Sequence, residues 1–213
     1  MTMQVHLFTV GNFDTNCYLV SCELTKEAII IDPGFDDFVE AEKVCKVIDA
    51  NSLTLKFIVN THGHPDHVCG NGLIKERFDM PILIHEHDAS MLGKQGKVIA
   101  ESFGFKNFSP PADRLLRDGD MIGFGKITLK VLHTPGHSRG CISLLGKKEV
   151  FTGDTLFAGS IGRTDFPDSS ESNMRSSLKK LSSLPNDLVV YPGHGATTTI
   201  GEEKRCNPFL QWA

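Results

Sequence analysis

The segment THGHPDH at residues 61–67 directly follows KFIVN at residues 56–60, an apolar run with the composition of a buried strand. Four side chains of the first segment are of the kind that binds divalent metals: His62, His64, Asp66 and His67. Gly63 and Pro65 separate them and favour a tight turn over a helix, so we expect the four side chains to converge from a loop. Imidazole and carboxylate suit zinc, and also iron or manganese. The segment therefore predicts a metal site that is not a structural zinc–cysteine cluster.

Three later segments have the same form, with a metal-binding side chain beside glycine at the end of an apolar strand. They are HTPGHS at residues 133–138, FTGDT at residues 151–155 and YPGHG at residues 191–195. Their ligands are His137, Asp154 and His194. Seven ligands exceed the four of one tetrahedral structural ion but suit two ions that share a carboxylate. Because two such ions make water a nucleophile near neutral pH, the set predicts a metal-dependent enzyme.

The rest of the chain has the pattern of two β-rich halves. In the first half we predict strands at residues 5–10, 17–21, 27–31, 55–59 and 82–84, and helices at 38–50, at 70–78 and from about 87. In the second half we predict strands at residues 121–132, 141–145, 150–151 and 188–191, and a helix at about 170–184. Residues 93–119, interrupted by glycine and proline, are predicted to form a long functional loop. Two such halves predict one domain over residues 1–213, a sandwich with helices outside.

The composition limits the classes of partner and location. With 22 basic and 26 acidic residues the formal net charge is −4, so no overall positive field attracts a nucleic acid. No apolar run approaches the ~20 residues of a membrane helix, and the N-terminal sequence lacks a signal-peptide pattern. The 6 cysteines are scattered without a CxxC pair and are predicted to be reduced thiols. We therefore expect a cytoplasmic protein that acts on a small molecule and binds neither nucleic acid nor membrane.

The order THGHPDH, TPGHS, GDT and PGHG resembles the ligand motifs of the metallo-β-lactamase-fold hydrolase superfamily, over residues from about 12 to 210. The resemblance implies an α+β fold, the four-layer αββα sandwich, which agrees with the two halves of the pattern. It implies that the first of two divalent ions is bound by His62, His64 and His137, the second by Asp66, His67 and His194, and both by Asp154. Zinc is the first expectation for these ions, with iron or manganese as alternatives. Catalysis is expected to depend on Asp66, His62 and His64.

Further segments resemble the small glyoxalase II-like subgroup of that superfamily. They are NFDTNCY at residues 12–18, IDPG at 31–34, GDTLF at 153–157 and GSIGRTDF at 159–166. Glyoxalase II hydrolyses the thioester of a hydroxyacyl-glutathione with a hydroxide that bridges its metals, and the resemblance implies a thioesterase of this type. Full-length glyoxalase II carries a further helical domain, which we do not expect in a chain ending at Ala213. Its lysine–aromatic–tyrosine segment is here Arg163-Thr164-Asp165, so Arg163 is expected to bind a substrate carboxylate without the tyrosine contact.

Two alternative functions stay open at this point. The stretch GRTDF at residues 162–166 also resembles persulfide dioxygenases, relatives in which one iron is held by two histidines and a carboxylate. In that case His62, His137 and Asp154 would hold iron and leave positions open for oxygen and a persulfide sulfur. From a different class, the chain is a non-catalytic metal-binding or partner-binding module; loss of a ligand would favour this, and none of the seven is lost. The motifs lean away from a lactamase.

Several residues near the motifs have simpler interpretations. The histidines expected to be surface or capping residues are His6, His85, His87 and His133, although H-x-H at residues 85–87 is a weaker metal candidate. Asp32 either caps a turn or hydrogen-bonds a ligand histidine and fixes its tautomer. Arg163 and Asp165 have a local ion pair as their alternative role. Cys69 is expected to be a packed thiol, and Asn12, Phe13 and residues 93–119 are candidates for a pocket mouth.

Overall fold

The computed structural model describes residues 3–212, in which twelve strands form two mixed six-stranded sheets. The strands of the first sheet lie side by side in chain order: β1 (Met3–Val10), β2 (Thr15–Cys22), β3 (Glu27–Ile31), β4 (Thr54–Val59), β5 (Ile82–His85) and β6 (Arg114–Leu116). Strands β1 to β3 are antiparallel, and β3 to β6 are parallel.

The second sheet is formed by the second half of the chain. Its neighbouring strands are also consecutive in the chain. From one edge to the other they are β12 (Thr198–Thr199), β11 (Val189–Pro192), β10 (Glu149–Gly153), β9 (Ile142–Leu145), β8 (Ile127–His133) and β7 (Met121–Phe124). All neighbours are antiparallel except β10 and β11. The strand region predicted at residues 121–132 is a hairpin, because Gly125 has a φ of 59° and turns the chain between β7 and β8.

Helices connect and cover these strands. They are α1 (Phe38–Ala50), α2 (Pro65–Val68), α3 (Asn71–Phe78), α4 (Gly93–Ser102), α5 (Glu171–Ser182) and α6 (Ile200–Cys206), with 3-10 turns at Ala89–Met91 and Pro208–Trp212. No helix within residues 3–212 combines the length and the apolar composition needed to cross a bilayer. The predicted bounds of α1 are confirmed, and its N-terminus is capped by Asp37, which accepts from the amide of Glu40 at 2.8 Å.

The apolar core has three parts, which define four layers. Between the sheets, Tyr18 and Ile29 of the first pack in one cluster with Phe124 and Phe151 of the second. The neighbouring residues on the first sheet point to its other face, so that Leu19 and Ile30 pack with Val44 and Ile48 of α1. On the outer face of the second sheet, Val150 and Val190 pack with Leu178 of α5. The predicted αββα sandwich is confirmed, whereas the single-domain organisation over residues 1–213 stays a prediction.

The prediction of a long loop at residues 93–119 is wrong. This segment contains α4 and β6, and the irregular residues are those between the two elements and the three that follow β6. Two of the glycines that were taken as interruptions belong to the helix: Gly93 begins it with a φ of 67°, and Gly96 lies against the carbonyl of Met91, where a Cβ would collide. Glycine here permits close packing and does not end the helix.

The prediction that all ligands of residues 61–67 converge from a loop is also wrong in part. His62 and His64 do lie before the first helical residue, but Asp66 and His67 are in α2. Pro65 is the first residue of that helix, where its fixed φ is compatible with helix and its missing N–H is not needed. A proline that looked like a turn residue therefore starts a helix.

Two side chains of β2 join the sheets at the edge where the ligand loops lie. The hydroxyl of Tyr18 donates to the carbonyl of Pro192 at 2.6 Å. The amide nitrogen of the Asn16 side chain donates to the same carbonyl at 3.0 Å and to that of Gly195 at 2.9 Å. The backbone N–H of Asn16 donates to Gly193 at 2.7 Å. These bonds hold the loop that carries His194 against the first sheet.

We predict that Tyr18→Phe lowers the free energy of unfolding by about 1 kcal/mol, because the ring is kept and one buried hydrogen bond is lost. The measurement is chemical denaturation of the metal-free protein. The matched control is Tyr191→Phe, since Tyr191 stacks on Phe151 and its hydroxyl has no hydrogen-bond partner among residues 3–212. Equal destabilisation by the two substitutions would contradict the role given to the Tyr18 bond.

Candidate metal centre

Four loops, each at the end of a strand, bring the seven predicted ligands together at one edge of the sandwich. The segment after β4 carries the ligands of residues 61–67, with Asp66 and His67 in α2; the β8–β9 connection carries His137, and Asp154 and His194 follow β10 and β11. Three groups have ligand atoms that all lie within 4.8 Å of one another: His62, His64 and His137; Asp66, His67 and His194; and His62, His67 and Asp154. The first two groups are the triads that the sequence predicted for two ions.

Asp154 lies between the two triads. Its Oδ1 is 3.4 Å from Nε2 of His67, and its Oδ2 is 3.5 Å from Nε2 of both His137 and His194. The residue is 7% exposed. Gly193 leaves room for the Asp154 carboxylate, because a Cβ on that glycine would collide with Oδ1 of Asp154 and lie 2.8 Å from Cε1 of His67. The carboxylate therefore has the position of a group shared between two sites.

Hydrogen bonds to the outer ring nitrogens orient four of the five histidines. Their Nδ1 partners are Thr61 Oγ1 for His62 at 3.2 Å, Asp32 for His67 at 3.0 Å, the carbonyl of Arg163 for His137 at 2.9 Å and the carbonyl of Phe13 for His194 at 3.0 Å. The partners of His67, His137 and His194 can only accept, and the hydroxyl of Thr61 accepts from His62 because it donates its own proton to Asp32. In the neutral ring the proton therefore lies on Nδ1, and the lone pair on Nε2 points into the cage. His64 is turned the other way, with Nδ1 2.8 Å from Nε2 of His137.

Asp32 supports two ligand histidines at once. Its Oδ2 accepts from Nδ1 of His67 and, at 2.6 Å, from the hydroxyl of Thr61, which in turn contacts Nδ1 of His62. Its Oδ1 accepts from the backbone N–H of Thr61 at 2.7 Å. Of the two interpretations of Asp32, the structure therefore shows the hydrogen bond to a ligand histidine. The sheet brings this about because Asp32 follows β3, the parallel neighbour of β4.

The residues present fit divalent ions on two observations. Nε2 of His62 and Oδ1 of Asp154 are buried and lack a hydrogen-bond partner in the described part of the chain, which costs about 1–3 kcal/mol for each group unless a ligand satisfies it. Burial and the neighbouring His137 lower the pKa of His64 to about 4, and burial lowers that of His62 well below its ordinary value, so both are neutral donors near neutral pH. Burial also lowers the pKa of His67, but Asp154 and Asp66 outweigh it and raise that pKa well above the ordinary value. A positive charge is thus favoured in the middle of the cage.

Asp88 is a supporting residue that the sequence did not single out. It is 1% exposed, and its Oδ2 accepts from the N–H of Gly63 at 3.0 Å and from the hydroxyl of Ser138 at 2.5 Å. Its Oδ1 accepts from the N–H of Gly140 at 2.6 Å. Asp88 therefore ties the loop of His62 and His64 to the loop of His137. Its position in the segment after β5 was the available signal, since the other ligand segments also follow strands.

The structure also decides several of the simpler interpretations. His85 stacks on His133 with ring centroids 4.1 Å apart, but among residues 3–212 these rings do not form a group with converging ligand atoms. Arg163 forms the local ion pair, donating from Nε and Nη2 to Asp165 at 2.7 and 2.8 Å. Cys69 is fully buried, and burial raises its pKa well above the ordinary value, as expected of a packed thiol.

A cavity of about 1020 Å³ opens over the cage. His64, Asp66, His137, Asp154 and His194 lie on its floor, and Arg163 lines its wall. Phe13, Ile99 of α4, and Phe103 and Phe105 in the segment after α4 form an apolar part of the wall. The lining agrees with the expectation that Phe13 and residues from 93–119 form part of the pocket mouth, and the lining residues of that segment lie in α4 and directly after it. The volume is that of a site for a substrate larger than a single amino acid.

Comparison with known proteins shows the family. The model of the metallo-beta-lactamase superfamily matches residues 10–194, and the chain belongs to that superfamily. It is 38% identical to "Hydroxyacylglutathione hydrolase GloC" of Haemophilus influenzae, over 98% of this chain and 98% of that protein. It is 32% identical to "Persulfide dioxygenase ETHE1, mitochondrial" of Homo sapiens, over 92% of this chain and 71% of that protein. The similarity to GloC confirms the resemblance to the glyoxalase II-like subgroup. The similarity to ETHE1 shows that the chain also has a relative among the persulfide dioxygenases.

Solved structures give the same result for the fold. BLEG-1, described as a B3 metallo-beta-lactamase, superimposes with a TM-score of 0.88 at 33% identity, covering 97% of this chain and 99% of that chain. TTHA1623 in a di-iron-bound form superimposes with a TM-score of 0.85 at 37% identity, covering 96% of this chain and 100% of that chain. Proteins this similar carry different names and one of them holds two irons, so the fold alone does not choose the substrate.

We predict that Asp32→Asn lowers the affinity for divalent metal by about 10–100-fold, although no ligand is removed. Asparagine tolerates the φ of 50° at this position, but its amide cannot accept from every donor, so the proton of His67 moves from Nδ1 to the nitrogen that faces the cage. The measurement is competition with a chelator of known affinity. Asp187→Asn, at an exposed aspartate remote from the cage, is the control. Unchanged affinity in Asp32→Asn would exclude the tautomer role.

Proposed function

We propose that this member of the metallo-beta-lactamase superfamily is a thioesterase of the glyoxalase II type that uses two divalent ions. The observation that carries the proposal is the pair of complete ligand triads with Asp154 between them. Similarity to GloC along the whole length of both proteins supports the thioester as the substrate class. We propose zinc for the ions, with iron or manganese as alternatives, and a cytoplasmic location, which stays a prediction from composition.

In the proposed reaction a water oxygen adds to the thioester carbonyl carbon, the carbon–sulfur bond breaks, and the thiol leaves with a proton. The products are a carboxylate and a thiol. Ions bound by the two triads would lower the pKa of the water and polarise the carbonyl. The chain supplies the remaining requirements, which are a fixed ligand cage, a carboxylate that orients the water and a wall that orients the substrate.

Asp66 is the proposed hydrogen-bond acceptor that orients the attacking water. It lies on the cavity floor, where its Oδ2 accepts from the hydroxyl of Thr15 at 3.3 Å and is 3.3 Å from Nε2 of His194. Burial raises its pKa, but the neighbouring histidines outweigh burial and hold that pKa well below the usual range. Asp66 is therefore ionised and can accept a hydrogen bond from the attacking water. His62 and His64, the other proposed catalytic residues, would hold the ion at which the carbonyl is polarised.

Arg163 is kept as a proposed substrate-binding residue with a limited role. Two of its donors are occupied by Asp165, and its guanidinium lies over the ring of Phe166, 4.2 Å from the centroid. A substrate carboxylate at Arg163 would have to share this group with Asp165. The net charge of the Arg163–Asp165 pair itself is close to zero.

A persulfide dioxygenase is the second candidate, because the chain is similar to ETHE1. In addition, Nε2 of His137 lies 3.5 Å from Oδ2 of Asp154, and both residues would be ligands of the single iron. Similarity to BLEG-1 makes a β-lactam the third substrate class to test. Metal-loaded protein is expected to release thiol from S-lactoylglutathione, to consume no oxygen with glutathione persulfide and to leave a chromogenic cephalosporin intact. Oxygen uptake by iron-loaded protein without thioester hydrolysis would replace the proposal with the dioxygenase.

We predict that Asp66→Ala lowers kcat/KM for the thioester by on the order of 10²- to 10⁴-fold, since both a metal ligand and the carboxylate that orients the water are lost. The turnover of the variant is measured together with its metal content, and Asp187→Ala is the control at an exposed site. A non-catalytic module would have no thioester turnover in the wild type. Full turnover in Asp66→Ala would contradict the role given to this carboxylate.

A further inference from the structure

The wall of the cavity near the second triad, that of Asp66, His67 and His194, is aromatic. Phe13, whose carbonyl accepts from His194, has its ring stacked on Phe105 with centroids 5.8 Å apart. Phe157 meets the ring of His194 edge-on, with centroids 6.0 Å apart. This wall can contact the apolar part of a substrate but offers it no charge.

The wall near the first triad carries two guanidinium groups, and they differ in what already binds them. Arg163 is paired with Asp165 through two hydrogen bonds. Arg139 also lines the cavity, and its side chain is exposed. No hydrogen bond or ion pair joins the guanidinium of Arg139 to another group within residues 3–212. Arg139 is therefore the cation on this wall that has all of its donors available.

The backbone of Arg139 is held firmly even though its side chain is not. Its carbonyl accepts from Nε2 of His133 at 2.9 Å. The residues on either side, Ser138 and Gly140, both donate to the buried carboxylate of Asp88. Arg139 is also two residues after the ligand His137. The start of its side chain is thus fixed relative to the cage, which a group that positions a substrate requires.

The acidic groups that line the cavity do not neutralise Arg139. Asp66 and Asp154 face the cage histidines, and both oxygens of Asp88 accept from Gly63, Ser138 and Gly140. Asp168, the remaining carboxylate of the lining, forms no ion pair with Arg139. A guanidinium with free donors beside a reaction site matches the planar, two-oxygen geometry of a carboxylate.

We propose that Arg139 is a specificity-determining residue that binds a carboxylate of the substrate. The substrate class is then a thioester that carries a carboxylate on its thiol or on its acyl part, with its apolar portion directed to Phe13 and Phe105. The inference rests on the proposed thioesterase function, because it assumes that a thioester occupies the cavity. Its contribution is to binding, so it acts on KM and leaves the chemical step unchanged.

The test uses the metal-loaded full chain with three thioesters. S-lactoylglutathione carries carboxylates on the thiol, the succinyl thioester of N-acetylcysteamine carries one on the acyl part, and the acetyl thioester of N-acetylcysteamine carries none. Arg139→Gln is expected to raise KM for a carboxylate-bearing substrate by about tenfold with little change in kcat, and to leave the neutral substrate unaffected. Arg139→Lys is expected to recover part of the loss, since it keeps the charge but not the fork.

Arg175→Gln is the matched control, because Arg175 lies on the exposed face of α5, pairs with Glu171 and does not line the cavity. The substrate for which the Arg139→Gln substitution raises KM shows whether Arg139 binds a carboxylate on the thiol or on the acyl part. Equal effects on all three thioesters, or none on any, would overturn the role of Arg139.

Calorimetric binding of glutathione by the wild type and by Arg139→Gln is a second readout. Failure of the wild type to hydrolyse any thioester counts against the proposed function, whereas loss of glutathione binding in Arg139→Gln would still support the carboxylate site.

Discussion

The carboxylate of Asp154 lies among the Nε2 atoms of His67, His137 and His194, which reach it from three different loops. A buried carboxylate is costly unless cations or donors surround it, so this arrangement requires the loops to close tightly. Gly193 and Gly162 allow the closure, because a Cβ at either would collide with Asp154. The join between β2 and residues 192–195 then fixes the loop of His194, and Asp32 and Asp88 fix the loops of the first segment.

The sequence predicted the layers and the identity of the cage residues because both depend on local signals. Apolar runs ending in glycine and a ligand marked the strand ends, and the ligand ends of β4, β10 and β11 do meet at one edge. The turn at Pro65 and the loop at residues 93–119 were predicted wrongly because glycine and proline have more than one role. Pro65 starts α2, and Gly96 packs against Met91 within α4.

Residues that act only through long-range contacts were beyond the sequence. Asp88 bonds to Gly63, 25 residues away, and to Gly140, 52 residues away, so nothing near it in the chain shows its role. The two arginines of the cavity looked alike in sequence terms, and only Arg163 was selected. They differ in the groups that surround them in the folded chain. Asp165 forms an ion pair with Arg163, so Arg139 is the arginine that is available to a substrate. The cage thus sets what chemistry the site can perform, and the walls set which molecule is brought to it.

The central claim is that two ions share Asp154. Anomalous diffraction from crystals of the metal-loaded protein, recorded at the absorption edge of the bound metal, tests it most directly. We predict two anomalous peaks, one in the triad of His62, His64 and His137 and one in the triad of Asp66, His67 and His194, with Asp154 bound to both ions. Two-metal sites of this kind have ions roughly 3.5–4 Å apart. A single peak under saturating metal, or a second peak away from Asp154, would contradict the account.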